Sequence, residues 1–233
     1  MRSPGWAGGD PDSLGGVTAP HLGTPRAVPG GAATVARLST AALEHNARPA
    51  LERGRGEVSA LYADAWGHGA DWVAGVLERL DLDPEALDAE TLFGLPAPDA
   101  RTRPVLTLTG RVLSTKDLRA GEGVSYGYAH RADADTRVAL VTGGYAQGIV
   151  RMLGNRVAVR IGAALHPLVG RVAMDVCVVD ITEHPVSRGD EVVFFGDPRD
   201  QAPSLAGWAD ATGWTAGELI TAAGLRAVRE VRA

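Results

Sequence analysis

The chain changes its apolar periodicity once, and that change limits the folds open to it. From Arg103 onward, short apolar runs are separated by Gly and Pro, the pattern of strands joined by tight turns. Strands are expected over Pro104–Leu113, Thr136–Thr142, Val157–Ile161, Val169–Ile181 and Glu191–Phe195, with Gly189-Asp190 turning into the last. Ser204–Ala211 and Ala216–Ala223 read as short helices, and Leu225–Val231 as a closing strand. Before Arg103 the pattern alternates. Ala33–Leu38 is an apolar run, and Ser39-Thr40 can cap a helix from Ala41 to Arg53 with Leu43 and Leu51 facing inward. Glu57–Ala63 is expected as a second strand. Trp72, Val73, Val76, Leu77 and Leu80 make an apolar stripe on a helix over Ala70–Leu80. Leu92-Phe93-Gly94-Leu95 could be a further buried strand. Residues 1–31 are rich in Gly and Pro without periodic apolar positions, and read as a disordered or loosely packed tail. The expected organisation is this tail, an α/β segment over 32–100 built of two β-α units in parallel style, and a mainly-β domain over 101–233.

Composition excludes several classes. With 233 residues, of which 22% are charged, and a net charge of −5, the chain lacks the basic footprint of a nucleic-acid binder. No apolar window approaches the length of a membrane span, and the N-terminus has no apolar core after its first Arg. The expected location is cytoplasmic. Cys177 is the only cysteine and lies in the apolar run Val176–Val179, which suggests a buried strand position and excludes an internal disulfide. His130, His166 and His184 stand apart with no Cys or carboxylate at metal spacing, so no metal site is expected. Lys116 is the only lysine, in Ser114-Thr115-Lys116-Asp117, and reads as an exposed surface residue. That scarcity bears on amine chemistry, because arginine does not lose its proton at ordinary pH.

Three motifs in the β-rich half follow one another in fixed order. They are Gly123-Val124-Ser125-Tyr126-Gly127, Gly143-Gly144-Tyr145-Ala146-Gln147-Gly148 and Val169-Gly170-Arg171-Val172-Ala173-Met174-Asp175. This order resembles the C-terminal domain of alanine racemases, which use pyridoxal phosphate to interconvert L- and D-alanine. The first half is similar as well: Tyr62-Ala63-Asp64-Ala65-Trp66-Gly67-His68-Gly69 matches a family motif close to Lys-Ala-Asp-Ala-Tyr-Gly-His-Gly.

The resemblance implies an incomplete, truncated TIM-type β/α barrel remnant followed by an alanine-racemase-like β domain. The family barrel takes about 250 residues, and Ala33–Leu95 has room for two or three β-α units. It also implies roles. Tyr126 stands at the catalytic tyrosine, an acid–base group. Tyr145 and Met174 match substrate-side positions lining the active site across a dimer interface, and Asp175 follows the pattern at the substrate entrance. Gln147 replaces a common aspartate. Tyr62 stands where the family has the lysine that binds the cofactor, and a phenol forms no imine with an aldehyde. Gly217 stands where the family has a tyrosine that contacts the cofactor phosphate. The expectation is therefore a homodimeric relative with no cofactor of its own and no ordinary racemase activity, which retains a cleft for a small molecule. The alternative is an active isomerase completed by a partner subunit, with Tyr126 donated across the interface.

Overall fold

The structure is a computed structural model and describes residues 33–95, 101–125, 127, 129–182 and 184–233. Its centre is a closed barrel of six antiparallel strands. In order around the barrel these are β2 (Leu106–Leu118), β5 (Thr136–Thr142), β8 (Val176–Asp180), β7 (Ala164–Val169), β6 (Ala158–Ile161) and β9 (Glu191–Phe195), with β9 pairing back onto β2. Closure removes free edges from this part of the sheet. β2 is long enough to serve two neighbours on one side: β1 (Val35–Ser39) pairs with Leu106–Thr109, and β5 with Val112–Leu118. At the crossover Gly110 passes close to Thr142, where a Cβ would lie 2.7 Å from its carbonyl oxygen. A side chain there would push the strands apart.

Alternation fills the barrel. Val112, Ala139, Val141, Val159, Ile161, Cys177, Val179, Val192 and Phe194 are buried. The helix α5 (Leu205–Thr212) brings Trp208 edge-on to Phe195, with ring centroids 5.0 Å apart. The helix α6 (Ala216–Gly224) adds Leu219, Ile220 and Ala223 to the same core. A two-stranded ribbon, β3 (Gly123–Val124) with β4 (His130–Arg131), flanks the segment that holds Tyr126.

The first half forms a smaller helical core. α1 (Thr40–Arg53) starts where the sequence places it, with the Ser39 hydroxyl accepting from the Ala42 N–H at 3.1 Å. α3 (Ala70–Arg79) buries Val73, Val76 and Leu77 against Leu43, Ala47 and Phe93. Leu51 and Leu80, expected inward, are exposed. They lie at the ends of their helices, where the stripe runs past the core.

Two expected strands are absent. Glu57–Ala63 forms bends that lead into a single turn, α2 (Tyr62–Trp66), and Leu92–Phe93 ends a short helix, α4 (Ala89–Phe93), closed by Gly94 in the left-handed conformation. An Asp88 cap on the Thr91 N–H nucleates α4 and overrides the apolar pattern. β1 is therefore the only strand before β2 among the described residues, and the expected pair of parallel β-α units does not form. The expected run Val169–Ile181 is also broken, into β7 and β8, with the third motif between them.

The edge problem of a barrel fragment is solved locally at β1. It pairs antiparallel with β2 on one side and parallel with β10 (Val228–Arg232) on the other. The outer edge passes to β10, which is short and carries Arg229, Glu230 and Arg232, charges that discourage further pairing. The described helices include none long and apolar enough to cross a membrane.

Candidate active-site face and the left-handed turn

The three motifs of the β half converge. Backbone bonds tie the second to the third: Gly143 N–H donates to Asp175 C=O at 3.0 Å, Tyr145 N–H to Ala173 C=O at 3.0 Å and Ala146 N–H to Met174 C=O at 2.9 Å. Gly144 permits this approach, since a Cβ there would collide with the carbonyls of Ala173 and Met174. The first motif reaches the third through Ser125. Its hydroxyl donates to Arg171 C=O at 2.6 Å and accepts from Arg171 N–H at 3.0 Å. Gly170, at φ +72°, packs on the Ser125 side chain, and its N–H donates to the Asn155 carboxamide at 2.7 Å. Tyr126 itself lies outside the described residues, but Ser125 before it and Gly127 after it both sit against Arg171.

Tyr145 and Met174 are therefore neighbours on one face, 39% and 54% exposed, with Met152 beside them at 47%. The Arg151 guanidinium lies over the Tyr145 ring, 5.3 Å from its centroid, a cation–π contact that orients the phenol. Asp175 is exposed and accepts from the Gln147 side-chain N–H₂ at 3.1 Å, while Gln147 Oε1 accepts from Gly144 N–H at 3.0 Å. The amide at 147 satisfies both partners at once. A carboxylate there would face Asp175 with like charge.

The Tyr62 motif takes a different shape. Ala63, Asp64, Ala65 and Trp66 all have φ between +48° and +57°, and Gly67 follows at +82°. A run of L-residues in this region is costly, roughly 1–2 kcal/mol each, so the surroundings must impose it. The Asp64 carboxylate accepts from Ala70 N–H at 2.7 Å and pairs with Arg229 at 2.6 Å. Burial pushes this carboxyl up, but the Ala70 N–H and the Arg229 guanidinium together hold it below the usual carboxylate range. Arg229 also donates from Nε to Gly67 C=O at 2.9 Å. Gly67 presses on α6, where a Cβ would lie 2.9 Å from Gly224 Cα.

His68 is fully buried. Its ring stacks on Phe93 at 4.1 Å, and its Nδ1 lies 2.8 Å from Ala65 C=O, to which the neutral ring donates. Burial pushes its pKa down to about 4, and the nearby Arg229 charge acts in the same direction. It is thus a packing residue held neutral.

Tyr62 heads this turn with its side chain 69% exposed. The structure places it on the turn against α6 and groups Tyr145, Met174 and Asp175 on the face of the barrel. α6 backs both regions: Gly148 packs on Ala222 and Ala223, Gly67 on Gly224, and the Trp66 ring on Gly217. Sequence reasoning missed Arg229 and the contact of Trp66 with Gly217, which join residues more than 140 positions apart and leave no local signal. Arg151 was within reach of it, on the turn that follows Tyr145. No cluster of three or more His, Cys, Asp or Glu that could hold a metal is found among the described residues.

Residues 105–231 match the family model of the alanine racemase C-terminal domain. An alanine racemase of Mycobacterium leprae is 40% identical over 147 residues, 60% of this chain and 38% of that protein. One of Salinispora arenicola is 39% identical over 119 residues, 51% of this chain and 32% of that protein. The crystal structure of alanine racemase from Streptomyces lavendulae superposes with a TM-score of 0.58 at 30% identity, covering 73% of this chain and 50% of that one. The chain thus belongs to the alanine racemase family, and it spans about a third to two fifths of the length of these curated relatives.

Proposed function

We propose that this chain is an alanine-racemase-like protein that captures no pyridoxal phosphate and racemises no alanine by itself, and that it acts as a homodimeric interaction module. The observation that carries this reading is Tyr62. It stands at the cofactor-amine position of the motif, exposed, and offers a phenol. The residues present do not fit the cofactor in other respects either. Lys116, the one natural amine of a side chain, lies exposed within β2 opposite Val138. Trp66 crowds Gly217, leaving no room for a side chain at the phosphate-contacting position. No strand other than β1 precedes β2 among the described residues, so the central barrel strands that carry cofactor contacts in the family have no counterpart there.

Inversion at an α-carbon needs two acid–base groups on opposite faces, and each is worth roughly 10²- to 10⁴-fold in rate. Tyr126 supplies one at most. The dimer is inferred from the exposed, partly apolar face of Tyr145, Met152 and Met174, and the same face suits a small-molecule ligand. The purified chain, incubated with L-alanine and added pyridoxal phosphate, is expected to form no D-alanine above a Tyr126→Phe control. D-alanine above that control would refute the reading.

A second reading is favoured by the intact convergence of the β-half motifs. In it a partner subunit with a complete barrel completes the site, and this chain contributes Tyr126. Purification with a bound, yellow partner chain whose colour borohydride fixes would select this second reading.

A further inference from the structure

Tyr62 and Trp66 open and close one turn, and Trp66 is the more deeply committed of the two. Its ring packs against both the helical core and the barrel core. It lies 6.1 Å from Phe93 between centroids, and its Nε1–H donates to Ser59 C=O at 3.2 Å. On its other side the ring fills the space over Gly217: a Cβ added there would lie 2.6 Å from Cζ3 and 3.1 Å from Cε3. No side chain fits at 217 while the ring is in place.

The turn cannot swing aside cheaply. Asp64 is fixed by Arg229 and Ala70, Gly67 is wedged on Gly224, and His68 is stacked under Phe93. The left-handed backbone leaves Trp66 few alternative placements, because neighbouring residues already occupy the one strained conformation that the packing enforces.

From this we infer that Trp66 is a plug, and that cofactor capture is blocked twice, once by the missing amine at 62 and once by the indole over Gly217. The inference rests on the reading that the chain captures no pyridoxal phosphate, and it adds that restoring the amine alone does not reopen the site. The blocking group is steric and internal, an aromatic ring of greater area than the pyridine it excludes. Removing it leaves a space at the end of the turn that carries position 62.

The chain provides its own reference for the test, since Lys116 is a solitary exposed amine. Pyridoxal phosphate is added to the full chain, to Tyr62→Lys and to Tyr62→Lys/Trp66→Gly. Borohydride fixes any imine, and peptide mass spectrometry assigns the label. The single variant is expected to label position 62 and Lys116 alike. The double variant is expected to favour position 62 by about tenfold or more, with the preference lost in excess inorganic phosphate. Circular dichroism checks that it is folded, and Tyr62→Lys/Trp66→Tyr replaces it if it is not. Preferential, phosphate-competed label in the single variant overturns the plug, as does a folded double variant without preference. Stoichiometric label on the unaltered chain overturns instead the reading on which the plug rests, so the two failures are distinct.

Discussion

The face built around Tyr145 and the turn that carries Tyr62 are two retained motifs with opposite supports. The first is held by backbone hydrogen bonds among three glycine-marked segments, and its exposed side chains are free of structural duty. The second is a strained left-handed run held by side chains, Arg229 on Asp64 and Phe93 on His68, together with close glycine contacts. The difference teaches that a motif can survive the loss of its chemistry when it has become a packing element. Tyr62 is the exposed and dispensable position of its turn, whereas Ala65, Gly67 and His68 are locked into the core.

The largest effect that would test this contrast is a pair of glycine substitutions. Gly67→Ala adds a Cβ at φ +82° against Gly224, and is expected to cost roughly 3 kcal/mol from strain and overpacking together. Gly144→Ala meets two carbonyls but needs no left-handed backbone, and is expected to cost roughly 2 kcal/mol. Urea unfolding ranks them, and the reverse order would break the comparison.

A second test uses pH. The buried His68 stays neutral down to about pH 4, while the unfolded chain takes up a proton near the ordinary histidine value. The unfolded state then binds more protons, so stability falls as pH drops from 6.5 toward 4 and is fully regained above 6.5. His68→Gln is expected to flatten that part of the pH–stability curve measured by urea midpoints. An unchanged slope would show that the imidazole is not held neutral. The smallest effect sharpens the other side. Gln147→Glu puts a carboxylate beside Asp175, and is expected to cost about 0.5 kcal/mol at pH 7, less in high salt, because the pair is solvent-exposed.

The β domain was legible in detail because its signals are local. Thr136–Thr142 and Glu191–Phe195 form strands with the bounds that alternation and turn residues gave, and Ser204 and Thr215 cap the helices expected after them. The first half was legible at α1 and α3, where caps and a 3.6-residue stripe agree. It was misread at Glu57–Ala63 and Leu92–Leu95. There a short apolar run fits strand or helix equally, and the decision fell to the Asp88 cap and to the packing of α6 on Gly67.

Residue chemistry alone determined that this chain has a phenol where its relatives' motif has an amine, one lysine in all, and the three ordered glycine motifs of the β half. Those are properties of side-chain type and spacing, and no packing alters them. Tertiary structure alone decided that β1 lies between β2 and β10, that the Tyr62 turn winds left-handed, and that the Trp66 ring takes the space over Gly217. Each depends on contacts between distant segments, whose energy no local pattern encodes.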